Sequence, residues 1–247
     1  MPNISNATGA TLLVTADEIT ANQIVDIMGK FALSGEVANN LPAALRLVTG
    51  RKFEAIVVDF LLVPHPEIFH RQVRASDSNR TSVMFALTCG SDETAEALKS
   101  GFSFALERPL NEESIEHTFK VAFGMIVRER RRYFRFPITV PAVVNTRRPE
   151  ETIFGQTVNV SERGMGLRTL KPLAPGTELT AEFVLPHSTP LQIRAESKVC
   201  WESGGGYSGL SFLFLPGNLG PDLQAWLAQK LEAQLPPDVV RKFSSFS

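Results

Sequence analysis

The stretch IVRERRRYFRFPITVPAVV, residues 126–144, is where the chain changes its period. Upstream of it, Ile115, Phe119, Ala122, Phe123 and Ile126 recur at helical spacing and form one apolar stripe, with Asn111 placed as N-cap and Glu112 and Glu113 in the first turn. Downstream, short runs alternate with period two. Between the two patterns lie five arginines within eight positions, 128–135, threaded by Tyr133 and Phe134. Pro137 ends helical geometry by that point, because the residue before a proline is pushed into extended backbone. The stretch therefore reads as a helix that leaves one folded unit and delivers the chain to another. The boundaries follow: an α/β domain over residues 10–127, an all-β domain over 128–236 with the arginine run as its lead-in, and a tail over 237–247.

The first part alternates strands and helices. TLLVTA (11–16), FEAIVVDF (53–60) and SVMFALT (82–88) are short buried-strand runs. DEITANQIVDIMGKF (17–31) places Ile19, Ile24, Ile27 and Met28 at helical spacing. LPAALRLVT and DETAEALKSG are further helices, the latter closed by Gly101. Such alternation predicts parallel pairing and a doubly wound α/β sheet, with ligand chemistry gathered at the carboxyl ends of the strands. That rule selects Asp17, Asp59 and Thr88.

The second part carries six short strand runs: ITVPAVVN, IFGQTVNV, MGLRTL, ELTAEFVL, LQIRAESKVCW and YSGLSFLFL. Turn residues separate them at RRPE, APGT, HSTP and SGGG. Six strands so punctuated predict a small antiparallel barrel that closes on itself. The following GPDLQAWLAQKLEAQL places Leu223, Trp226, Leu227 and Leu231 on one face, a helix that packs on the barrel with Trp226 in its core.

Composition narrows the function classes. The 247 residues are 43% hydrophobic and 21% charged, with a formal net charge of -1, as in a folded globular chain. Residues 1–120 hold 10 Lys and Arg against 15 Asp and Glu, leaving 15 against 11 for the remainder, so an anionic partner is expected at the second part. Cys89 and Cys200 each sit in an apolar stretch and read as buried thiols of a reducing cytosol. No signal peptide and no membrane-spanning run is evident, so the reading is cytoplasmic. His65, His70, His117 and His187 show no metal spacing, and neither a nucleophile elbow nor a P-loop is present, so no enzyme is expected. The basic cluster is short and lacks a recognition helix, which argues against nucleic acid.

Residues 10–125 resemble the receiver domain of bacterial response regulators. LLVTADE corresponds to the first strand and acidic pair, IVVDF to the phospho-accepting aspartate, FALT to the hydroxyl, and GFSFALERPL to the segment that ends in Lys-Pro. The resemblance implies Asp59 as phosphoacceptor and Asp17 with Asp59 as Mg²⁺ ligands, since a carboxylate attacking a phosphoryl group needs its charge neutralised. The chain departs from the pattern at Ala16, where an acid is expected, at Arg108, which replaces the lysine, and at Pro64, one position late.

Arg131 and Arg135 form an R-x-x-x-R pair, and NVSERG, residues 159–164, follows with an amide, a hydroxyl and a glycine around a turn. An amide can pair with a purine edge, a hydroxyl adds a bond, and glycine permits close approach or positive φ. With the flanking FRFPITVPAVV and VCWESGGGYSGLSFLF, residues 126–235 resemble the PilZ domain, whose pattern is R-x-x-x-R followed by D/N-x-S-x-x-G. The resemblance implies cyclic di-GMP as ligand. Arg131 and Arg135 would grip phosphate and guanine, Asn159 and Ser161 would meet a guanine edge, and Gly164 would shape the turn. Arg130 would mark the binding of two intercalated ligand molecules. Arg128 and Arg132 read as solvated, and Tyr133 and Phe134 as packing on the barrel.

Two readings stand at this point. One is a non-enzymatic cyclic di-GMP effector, in which ligand binding at the arginine lead-in changes the interdomain arrangement and partner docking. The other is a response regulator phosphorylated at Asp59 whose PilZ domain is a protein-interaction module. A downstream protein partner is implied by both, and the degenerate receiver and Arg130 lean toward a homodimer.

Overall fold

The structure, a computed structural model, describes residues 9–147, 149–234 and 237. The expected 237–247 tail therefore lies outside the described residues except for residue 237, as do residues 235 and 236 and the Arg148 of the RRPE turn. The chain divides into two compact units, one reaching Arg130 and one spanning Arg131–Ala233.

The first unit runs β1 (Gly9–Val14), α1 (Glu18–Gly29), β2 (Leu33–Ala38), α2 (Leu41–Gly50), β3 (Ala55–Asp59), α3 (Pro66–Ala75), β4 (Val83–Thr88), α4 (Ser91–Lys99), β5 (Phe104–Glu107) and α5 (Glu112–Tyr133), the last continuing past Arg130. All strand pairs are parallel, in the order β2-β1-β3-β4-β5. This is the doubly wound order whose switch point lies between β1 and β3. Successive residues of the central strands serve opposite faces: Leu13, Val57, Phe85 and Leu87 pack under α1 and α5, while Leu12, Val14, Ile56, Val58, Met84 and Ala86 pack with Ala44, Phe69 and Ala97 of α2, α3 and α4. Burial on both faces is why these strands read as continuous apolar runs. In α1, Ile24, Ile27 and Met28 are buried but Ile19, in the first turn, is exposed.

Helix α5 starts as expected. The Asn111 side chain accepts from Ser114 N at 2.8 Å, and Ile115, Phe119, Ala122, Phe123 and Ile126 are all buried. Its Glu129 is 3% exposed, accepting from Lys52 Nζ at 2.5 Å and Thr81 Oγ1 at 2.6 Å, which fastens the helix to the amino ends of β3 and β4.

The second unit runs β6 (Phe136–Pro137), β7 (Pro141–Arg147), β8 (Glu150–Ser161), β9 (Gly164–Thr169), β10 (Glu178–Leu185), β11 (Leu191–Glu202), β12 (Tyr207–Phe214) and α6 (Leu219–Glu232). Six antiparallel strands form the ring β8-β7-β10-β11-β12-β9, closed by the β8–β9 pairing, with β6 laid on β8. The barrel core includes Val144, Val160, Leu167, Ala181 and Ala195. Helix α6 buries Leu223, Trp226, Leu227 and Leu231 against it, and Trp226 Nε1 donates to Pro186 O at 3.0 Å. Phe134 is likewise buried in this core.

The two cysteines correct the sequence reading. Both are exposed: Cys89 lies in the loop past β4, and Cys200 takes the outward position after buried Val199 on β11. Apolar neighbours in sequence do not bury a strand residue whose parity points it out.

Candidate ligand-binding site

The lead-in reaches the barrel through β6. Phe136 pairs with Val160 and Pro137 with Asn159, and the buried Thr157 holds the next residues by donating to Ile138 O at 2.6 Å and accepting from Val140 N at 3.0 Å. That zipper carries Arg135, 24 residues before Asn159, to within 3.4 Å of its amide, Nη1 to Oδ1. Asn159 follows a register shift in the β8–β9 ladder, between Thr157 and Asn159. Such a bulge re-aims a side chain. Its Oδ1 also accepts from Gly166 N at 3.2 Å.

The hairpin at Ser161–Gly164 is built differently from the sequence expectation. Ser161 is 4% exposed and its hydroxyl donates to Gly164 O at 3.0 Å, so the hydroxyl closes the turn instead of facing outward to a guanine edge. Gly164 is required by close approach: a Cβ there would fall 2.1 Å from Leu210 O.

The other arginines have resident partners. Arg131 Nη2 lies 2.7 Å from Glu232 Oε1 at the end of α6, while its Nε is buried without a hydrogen-bond partner among the described residues. Arg130 Nη1 lies 3.7 Å from Glu54 Oε1, an ion pair longer than a hydrogen bond, and both Arg130 Nε and Glu54 Oε1 are buried without a hydrogen-bond partner among the described residues. Burial pushes the Glu54 carboxyl up, against the hydrogen bond from Ala10 N and the attraction of Arg130 and Lys52. Arg128 is exposed, whereas Arg132 is half-buried.

At the carboxyl ends of the first unit's strands, Asp59 is 2% exposed. It accepts from Thr15 Oγ1 at 2.7 Å, from Arg108 Nη2 at 2.9 Å and from Leu61 N at 3.1 Å. Asp17 is the N-cap of α1, accepting from Ile19 N, Thr20 N and Thr20 Oγ1, and the Thr20 hydroxyl holds its carboxyl below the usual range. Thr88 Oγ1 lies 2.8 Å from Thr94 Oγ1.

Residues 129–229 match the PilZ domain family model. The second unit is a PilZ domain. No curated protein matches the chain. Among solved structures, the first unit is similar to the chemotaxis response regulator CheY4 of Vibrio cholerae, at 19% identity over 45% of this chain and 96% of that one, with a TM-score of 0.42. It is also similar to the receiver domain of sensor histidine kinase PA1611 from Pseudomonas aeruginosa, which holds a magnesium ion in its active-site cleft (18% identity, 47% and 98% covered, TM-score 0.42). A third neighbour is an adenylate cyclase from Rhodopirellula baltica (22%, 49% and 87%, TM-score 0.40).

The expected metal site of the first unit is occupied by the protein's own donors. Every carboxylate oxygen of Asp17 and Asp59 already accepts from a protein donor, and Arg108 supplies the positive charge at Asp59. Among the described residues no group of three His, Cys, Asp or Glu is placed to hold a metal ion, so the expected Asp17 and Asp59 pair does not fit Mg²⁺. The physical reason is Ala16: with one acid of the pair missing, the other turns to cap its helix.

Three features escaped the sequence reading. Thr15 links Asp17 N to Asp59 through its hydroxyl, Glu232 holds Arg131, and Gly166 supplies an amide to Asn159. The first two depend on partners 44 and 101 residues away, and the third on the register of one hairpin, of which only the glycine spacing of GMG gave any sign.

Proposed function

We propose that the protein is a non-enzymatic, cytoplasmic effector that binds cyclic di-GMP at the PilZ domain, through Arg131, Arg135 and Asn159, with Arg130 as an added cation. Binding changes the arrangement of the two units and what docks on them. The observation that carries this reading is the approach of Arg135 to Asn159. A guanidinium fork pairs with phosphate oxygens or with guanine O6 and N7, and an amide pairs with a base edge beside it. The unbonded buried Nε of Arg131 adds a donor that a phosphodiester would satisfy. Ser161 and Gly164 contribute by fixing the hairpin that presents Asn159.

Titration calorimetry with the purified chain tests the reading. Binding is expected for the wild type, with affinity lost in Arg135→Ala and Asn159→Ala. A chain that shows no heat up to roughly 100 µM ligand, or variants that match the wild type, would end it. Asp59 is assigned a structural ion pair with Arg108, leaving the receiver-like unit as a docking fold. Acetyl phosphate with Mg²⁺ is expected to leave the intact mass unchanged, and an adduct absent from Asp59→Asn would restore the phosphorylation reading.

A further inference from the structure

Helix α5 has two faces. One holds Ile115, Phe119, Ala122, Phe123 and Ile126 in the core. Directly opposite, Glu113, His117, Val121, Gly124 and Arg128 follow at spacings of four or three with Met125 beside them, and all six are exposed. A solvated face needs no apolar residues, yet Val121 is 59% and Met125 49% exposed here. Gly124 weakens the helix at the middle of this face, and a Cβ there would meet no atom within 4 Å, so packing inside the chain does not call for a glycine. The charges are divided along the same face. Of the glutamates in its first turns, Glu112 and Glu116 are held by Lys30 Nζ at 2.5 and 2.9 Å. Glu113 has no cationic partner among the described residues, and Arg128 has no carboxylate partner among them. The two lie fifteen positions apart, about 22 Å along the axis.

A helix face that is acidic at its start and basic at its end complements itself when turned end for end. Laid antiparallel on a second copy about a twofold axis at Val121, it sets Val121 on Val121, Met125 on His117 and, twice over, Arg128 on Glu113, while Gly124 lets the two backbones come close. A parallel pairing would set like charges on each other at both ends. A partner helix of one charge sign would suit one end of the face and repel the other. We infer that the outer face of α5 is a self-association surface, on which a second copy of this chain packs antiparallel and exchanges Arg128–Glu113 ion pairs. The surface lies within residues 113–128 of the first unit, so it stands independently of the cyclic di-GMP reading.

Sedimentation equilibrium of the full chain without nucleotide, from roughly 5 to 300 µM, tests it. A monomer–dimer equilibrium that weakens with salt is expected for the wild type. Val121→Glu is expected to remain monomeric. Glu113→Arg or Arg128→Glu alone is expected to weaken the dimer roughly 5- to 30-fold, since both symmetric contacts turn repulsive, and the two together to restore it. Gly124→Ala, a better helix former, is expected to melt at or above the wild type in dilute solution while dimerising more weakly. All four positions are exposed, and thermal melts confirm that each variant folds. A chain that stays monomeric throughout leaves this face to a different protein and overturns the inference. A dimer indifferent to Val121→Glu is held elsewhere and overturns it too. Single charge reversals without effect, or without rescue by the double variant, rule out the antiparallel pairing.

Discussion

Asn159 and Gly164 sit five residues apart on one hairpin and serve the site by different physics. Asn159 presents an amide whose oxygen also accepts from Gly166 N, a neutral bond worth about 1 kcal/mol. Gly164 leaves a gap that a methyl group cannot enter, with a backbone oxygen 2.1 Å from its would-be Cβ. Asn159→Ala is therefore expected to keep a near-native melting temperature while losing tenfold or more in cyclic di-GMP affinity, since a paired base contact is worth about 1–3 kcal/mol. Gly164→Ala is expected to lose stability and binding together, because overpacking against backbone costs about 1–3 kcal/mol or more. Paired melts and calorimetry separate the two, and a stable Gly164→Ala that merely binds poorly would contradict the packing argument. Glu54 gives a pH signature. Its carboxyl is raised by burial, so the folded state holds the proton more tightly than the unfolded chain, and the associated stability is lost as pH rises through the raised value. Glu54→Gln keeps an acceptor for Ala10 N without the charge. It is expected to melt above the wild type at neutral pH, with the gap closing as pH falls below the ordinary carboxyl range. A gap that widens on acidification would show that attraction to Arg130 and Lys52 outweighs burial.

At the scale of elements, α6 does more than cover the barrel. Its last residue, Glu232, holds Arg131 in a surface ion pair with both partners about half exposed, which is worth about 0–1 kcal/mol. A phosphodiester competing for Arg131 must displace that carboxylate. Glu232→Gln is thus expected to tighten cyclic di-GMP binding by up to about fivefold with little change in melting temperature, and weaker binding in this variant would place Arg131 outside the ligand's reach. The sequence made the elements with strong periodicity readable: β10 at 178–185 agrees residue for residue, and the α5 and α6 stripes are buried as expected. It concealed β2, an edge strand with the polar burial pattern of LSGEVA, and α3, whose PEIFHRQVRA buries only Phe69 and Val73. The sequence pointed to Arg135 and Asn159 through two motifs in combination, R-x-x-x-R and the N-x-S-x-x-G that follows it. They did not reveal that Ser161 turns inward or that Glu232 answers Arg131, since hydroxyl direction and a partner 101 residues away are set by tertiary packing.

For the whole molecule, α5 is the element that runs from the first unit into the second: its residues through Val127 belong to the first unit's core, Glu129 bonds Lys52 and Thr81, Arg130 forms an ion pair with Glu54, and Arg131 begins the PilZ unit. Adjacent arginines are thus committed to different carboxylates, Glu54 and Glu232. If cyclic di-GMP recruits Arg130 as well as Arg131, Glu54 loses its ion-pair partner while remaining buried with only the attraction of Lys52, and a buried carboxylate so weakly compensated is costly until it takes up a proton. Ligand binding then has opposite effects on the two units. Hydrogen exchange is expected to slow over residues 131–169, where the ligand adds contacts, and to quicken at Ala10 and along the starts of β1 and β3, where Glu54 bonds Ala10 N at 2.6 Å. Slower exchange in the PilZ unit with no change at β1 and β3 would leave Arg130 with Glu54, limit the site to Arg131 and Arg135, and remove the physical route by which the messenger loosens the receiver-like fold.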